Sequence, residues 1–98
     1  MKKRKRVDIQ MIDVKGKSSN IEYVGWKGIR PHILTFWKNR SMLFIEFYGS
    51  RIYKYDGISR KLFRRFMDAP SLGKFFHEKI KDKYLFQKID TVVWNNNN

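Results

Sequence analysis

Apolar residues recur along this chain with two different periods, and the change falls just past its middle. From Met42 to Tyr48 they alternate: Leu43, Ile45 and Phe47 fall on one face, Phe44, Glu46 and Tyr48 on the other, which predicts a strand. Gly49-Ser50 makes a tight connection to Arg51 through Tyr55, predicting a hairpin. Ile21 to Trp26 predicts an earlier strand, ended by Gly25, Gly28 and Pro31. Between Val7 and Val14 the alternation of Val7, Ile9 and Met11 slips in phase at Ile12, as in a short edge strand. Gly16 to Asn20 is turn chemistry, with side chains that bond to nearby backbone. Ile33 to Trp37 either extends the sheet or loops out from it.

After Asp56-Gly57 the period becomes helical. Ser59 is a good N-cap for a helix carrying Leu62, Phe63, Phe66 and Met67 on one stripe, and Ala69-Pro70 ends it. Ser71 caps a second helix with Leu72, Phe75, Phe76 and Ile80 facing inward. Tyr84, Leu85, Phe86 and Ile89 are expected to pack back on the sheet. The prediction is a small α+β domain: an antiparallel sheet of about three to five strands, then two short helices packed on one face.

Composition narrows the function. The 98 residues suffice for one domain, expected over residues 7–94, between a disordered basic arm (1–6) and a disordered polar tail (95–98). Lys and Arg number 22 against 9 Asp and Glu, a net charge of +13. The run Lys2-Lys3-Arg4-Lys5-Arg6 supplies five of these charges, so eight remain on the folded body. Such a field attracts polyanions, nucleic acid foremost. Cysteine is absent, which removes disulfides and thiolate metal sites and fits a reducing compartment. No apolar run approaches a membrane span, and Asp8, Gln10 and Asp13 interrupt any signal-like stretch, so the expectation is a soluble cytoplasmic protein without a membrane partner.

Several segments together resemble the KTSC domain. Ser18-Ser19-Asn20-Ile21, Val24-Gly25-Trp26 and Leu43-Phe44-Ile45-Glu46-Phe47 are similar to its opening, and Tyr53-Lys54-Tyr55 to its central Tyr-x-Tyr motif. Ala69-Pro70-Ser71-Leu72-Gly73-Lys74-Phe75-Phe76 resembles its Ala-x-Ser-x-Gly-x-Phe-Phe segment. The similarity runs from about Lys17 to Tyr84, with a longer connection near residues 28–40 and the basic run as additions. The family takes its name from a region at the C-terminus of some lysyl-tRNA synthetases and occurs as stand-alone bacterial and phage proteins. The resemblance implies the fold, and RNA binding by context alone.

Candidate sites follow from charge and pattern. Arg60, Lys61, Arg64 and Arg65 fall together on one helix face, opposite the apolar stripe, and form the preferred phosphate-contacting set. The residues of the arm, with Arg51 and Lys54, are further nucleic-acid candidates, the arm reading equally well as a solvated tail. Tyr53 and Tyr55 share a face with Arg51, either to stack bases or to line the core, the core reading being preferred. Trp26, Phe36, Trp37, Phe44 and Tyr48 are candidate anchors for a protein partner. The face bearing Phe44, Tyr48, Ile52 and Lys54 is unusually apolar, covered either by the segment holding Phe36 and Trp37 or by a partner. Lys74, Lys79, Lys81 and Lys83 alternate with Glu78 and Asp82 and suggest ordinary surface pairing. His32 and His77 stand apart, Ser18 to Asn20 read as backbone caps, and no nucleophile–base pair, metal set or cofactor motif is evident. The expected function is phosphate-directed nucleic-acid binding, RNA before DNA, with little sequence specificity and no enzymatic activity. The alternative is a protein-interaction module, a phage or bacterial factor docking on an acidic protein or a larger assembly.

Overall fold

The computed structural model describes residues 9–28 and 41–89. The arm at 2–6, the segment 29–40 with His32, Phe36 and Trp37, and the tail at 95–98 lie outside the described residues. Five strands form an antiparallel meander in chain order: β1 (Met11–Asp13), β2 (Ile21–Lys27), β3 (Met42–Phe47), β4 (Arg51–Asp56) and β5 (Phe86–Ile89). Between β4 and β5 come α1 (Arg60–Asp68) and α2 (Leu72–Phe75), which runs on into a π-helical turn, Phe76–Ile80. This is the predicted α+β domain, with a strand added after the helices.

Local chemistry sets the boundaries. The Ser59 hydroxyl accepts from the Leu62 amide at 3.1 Å and the Ser71 hydroxyl from the Lys74 amide at 3.3 Å, so each helix starts on its predicted cap. The β3–β4 turn holds Gly49 and Ser50 at φ of 90° and 61°, the left-handed geometry that a glycine eases in a tight hairpin. Ser18 Oγ accepts from the amides of Asn20 and Ile21 at 3.3 and 3.0 Å, which closes the turn into β2 as backbone capping.

One sheet face carries the main core. Ile21, Val24, Leu43, Ile45, Phe47 and Tyr55 are buried beneath Phe66, Leu72, Phe76 and Ile80 of the helical layer. Ile21 and Val24 are three apart, which alternation alone would place on opposite faces. A register shift between Ile21 and Tyr23 resets the pleat and turns both inward. Trp26 joins this core: its indole N–H donates to the Ile58 carbonyl at 2.9 Å, and its ring stacks on Phe63 with centroids 5.8 Å apart.

The opposite face has a smaller core of its own, in which Ile9, Met11, Phe44 and Ile52 are buried and Tyr23, Met42 and Ile89 pack around them. The segment expected to cover this face lies outside the described residues. Ile9 and Met11 pack on Phe44, which at 1% exposure is no surface anchor. Gly25, opposite Met11 in the β1–β2 register, makes this possible, since a Cβ there would lie 2.5 Å from Met11 Sδ and 2.6 Å from Ile9 Cγ2.

Candidate functional site

Two features of the helical side of the sheet stand out. The first is the outer face of α1. Arg60, Lys61, Arg64 and Arg65 are all exposed there, opposite buried Phe66 and half-buried Leu62, Phe63 and Met67. Among the described residues, Lys15 pairs with Asp13 at 3.6 Å and Lys54 with Asp56 at 3.5 Å, whereas none of the four α1 cations has a carboxylate within ion-pair distance. The Arg65 guanidinium lies 5.9 Å from the centroid of the Phe75 ring, a cation–π contact that ties its stem to α2.

The second is a cleft of about 510 Å³ between the end of β4, β5 and the π turn. Its floor is aromatic: Phe47, Tyr55 and Phe76 meet edge to face, with Phe76 5.5 Å from Phe47 and 5.4 Å from Tyr55. Tyr53 and Phe86 extend this surface outward, their centroids 6.0 Å apart. Arg51, His77, Lys81 and Asp82 stand around the mouth. Arg51 is held there by its contact with the Phe47 ring at 5.6 Å and by Nε and Nη2 donating to the Tyr48 carbonyl at 3.4 and 3.3 Å. Asn20 closes one end against Gly73, where a Cβ would approach Asn20 Oδ1 to 3.0 Å.

The cleft is also lined by a polar group without a protein partner among the described residues. Tyr55 is only 5% exposed, and its hydroxyl has no hydrogen-bond partner among the described residues. Burial pushes its phenol up to about 12, with Tyr53 and Asp82 adding to the rise, so it remains a protonated donor at neutral pH. The π turn arises where the Lys81 amide donates to the Phe76 carbonyl at 2.8 Å, five residues back, and Asp82 follows at a left-handed φ of 64°. Irregular backbone of this kind recurs at functional sites.

The structure gathers some predicted residues and separates others. Arg51 sits at the cleft on the helical side of the sheet, while Lys54 lies on the opposite face, ion-paired with Asp56. Tyr55 belongs to the core as preferred, whereas Tyr53 is half-buried at the cleft wall. Trp26, committed inward to Ile58 and Phe63, is a structural residue in place of the predicted anchor. Tyr48 is 39% exposed. Leu85, expected on the sheet, is instead 80% exposed, and Phe86 is 56% exposed although its ring meets Tyr53 and Tyr55. Glu78 and Asp82 form no ion pairs with Lys74, Lys79, Lys81 or Lys83 among the described residues, contrary to the pairing their spacing suggests. Asn20, Gly73, His77, Lys81 and Asp82 were not singled out as a site because they meet only in the fold.

The segments that line the cleft coincide with the motifs noted in the sequence: Asn20 from the first, Tyr53 and Tyr55 from the second, Gly73 and Phe76 from the third. A five-stranded meander with two helices between its last two strands defines the class, a small α+β domain with an aromatic cleft on its helical side. The family model of the KTSC domain matches residues 32–84, and the chain belongs to that family. The structure is similar to the crystal structure of a KTSC domain protein from Yersinia pestis, 32% identical, with a TM-score of 0.67 over 84% of this chain and 99% of that one. No curated protein sequence matches the chain. Among the described residues, no helix is long and apolar enough to cross a membrane.

Proposed function

We propose that this protein binds nucleic acid through phosphate contacts, RNA before DNA and with little sequence specificity, in the cytoplasm. The observation that carries the reading is the outer face of α1, where four exposed cations stand without ion-pair partners among the described residues. Solvated cations on one rigid helix face suit a row of phosphates, and two or three guanidinium forks add geometry without reading bases. The basic run at 2–6 would add reach.

The test is a titration of the full chain with single-stranded RNA, duplex RNA and duplex DNA at two salt concentrations, beside the Arg64→Glu/Arg65→Glu variant. Each phosphate contact contributes about −0.7 to the slope of log affinity against log salt on single strands. Losing two contacts flattens the slope by about 1.4 and weakens binding more than tenfold, with the circular dichroism unchanged. Unchanged affinity in the variant overturns the assignment to α1.

A second reading is favoured by Leu85 and Phe86, neighbouring large apolar side chains that are 80% and 56% exposed. In that case the chain docks on an acidic protein, with Leu85 as an anchor and the cations of α1 facing carboxylates. A protein that ignores all three nucleic acids yet binds an acidic polypeptide, with Leu85→Ser abolishing the interaction, decides for it.

A further inference from the structure

We propose that the cleft between β4, β5 and the π turn is a nucleotide pocket that takes one unstacked base with its phosphate. This deepens the nucleic-acid reading and rests on it for the single-strand prediction below. Tyr53, half-buried, and Phe86, exposed, meet edge to face at 63°, which leaves the Phe86 ring as the face on which a planar base can stack, with Tyr53 beside it. Arg51, His77 and Lys81 gather at the mouth, where a phosphate would sit.

The lining also offers polar groups of both kinds. Tyr55 lines the cleft, and its hydroxyl, without a protein partner among the described residues, is free to donate to a bound acceptor. The Asp82 carboxylate is an acceptor for base N–H groups, and it repels phosphate, which biases that group toward Arg51. A cavity of about 510 Å³ falls within the range of small-molecule sites, room enough for one nucleotide unit. Duplexes keep their bases stacked inside, so this pocket favours single strands. The α1 face, by contrast, contacts phosphates of either form.

The experiment titrates full-length protein with adenosine, cytidine, guanosine and uridine 5′-monophosphates, following amide shifts by NMR. Single-stranded and duplex RNA binding are then measured for wild type, Phe86→Ala, Phe86→Leu and Lys81→Gln. The expected result is saturable monophosphate binding with shifts at Asn20, Arg51, Tyr53, His77 and Asp82. Phe86→Ala should weaken it about tenfold, the loss typical of one stacked base. Phe86→Leu keeps apolar cover without a flat ring and should behave alike, which separates stacking from stability. Both should reduce single-strand affinity and spare duplex affinity.

Absence of monophosphate shifts, with single-strand binding equal in wild type and all three variants, overturns the pocket and leaves the α1 surface standing. Monophosphate binding in a protein that ignores both RNA forms upholds the pocket and overturns the polymer-binding function.

Discussion

Gly25→Ala tests the small core on the sheet face away from the helices. The added methyl would stand 2.5 Å from Met11 Sδ, 2.6 Å from Ile9 Cγ2 and 3.1 Å from the Gln10 carbonyl oxygen. Relaxed contacts lie at about 3.5–4.0 Å, so something must move by about 1 Å. Two obstacles are side-chain ends, but both belong to buried residues, and the third is backbone. Relief therefore requires β1 to shift outward. Overpacking of this kind costs about 1–3 kcal/mol, and replacing a glycine inside a strand returns about 0.5–1 kcal/mol. The central net loss is about 1 kcal/mol, with about 2.5 kcal/mol as the upper end, and each kcal/mol lowers Tm by roughly 4–8 °C for a domain of this size.

Urea unfolding followed by tryptophan fluorescence measures this loss, and hydrogen exchange at residues 10–13 locates it. Met11→Ala provides the control, because it removes one obstacle while sacrificing a buried side chain. In the Gly25→Ala background its cost should fall by about 0.5–1.5 kcal/mol, the coupling expected of residues in contact. A Gly25→Ala protein as stable as wild type, or a strictly additive double mutant, refutes the argument that β1 clasps this face.

Two further outcomes follow from other parts of the fold. Trp26→Phe leaves the Ile58 carbonyl without its 2.9 Å donor while keeping a ring against Phe63, and should cost about 1–3 kcal/mol in denaturant unfolding; a neutral result would show that water replaces the indole. Glu46 has its carboxyl raised by burial, with Glu22 adding to the effect. The folded state then binds protons more tightly than the unfolded chain, so stability falls as pH rises from the ordinary carboxylate value through the raised one. Glu46→Gln should therefore gain on wild type at neutral pH and lose that gain below the carboxylate range, and unfolding midpoints showing an equal gain at both pH values would contradict it.

Much of the architecture is legible from local signals. Ser59 and Ser71 announce the helices, and Gly49-Ser50 announces the β3–β4 turn, because capping and left-handed backbone are requirements of single residues. The register shift at Ile21 to Tyr23 is not legible, since it depends on which partner residues β2 meets. β5 was missed as a strand for a related reason: Gln87 and Lys88 are exposed on a sheet edge, so the segment lacks strong apolar alternation. The α1 cations could be placed from spacing alone. The cleft could not, because Asn20, Arg51 and the helical stretch from Gly73 to Lys81 come from three separated segments. Lys81 reads from its spacing as ordinary helix surface and His77 as an isolated histidine, and the fold brings both to the cleft.

The π turn has a consequence for comparing this chain with its relatives. A turn of this kind contains one more residue than an α-helix needs over the same rise, the usual footprint of a single inserted amino acid. Each residue along a helix rotates the next side chain by about 100°. A relative lacking that residue would carry the same motif letters yet swing the counterparts of Lys81 and Asp82 around the axis, away from the aromatic floor. The scaffold and the mouth of the cleft are thus separable, since one residue's difference in that turn would alter the mouth and leave the sheet unchanged.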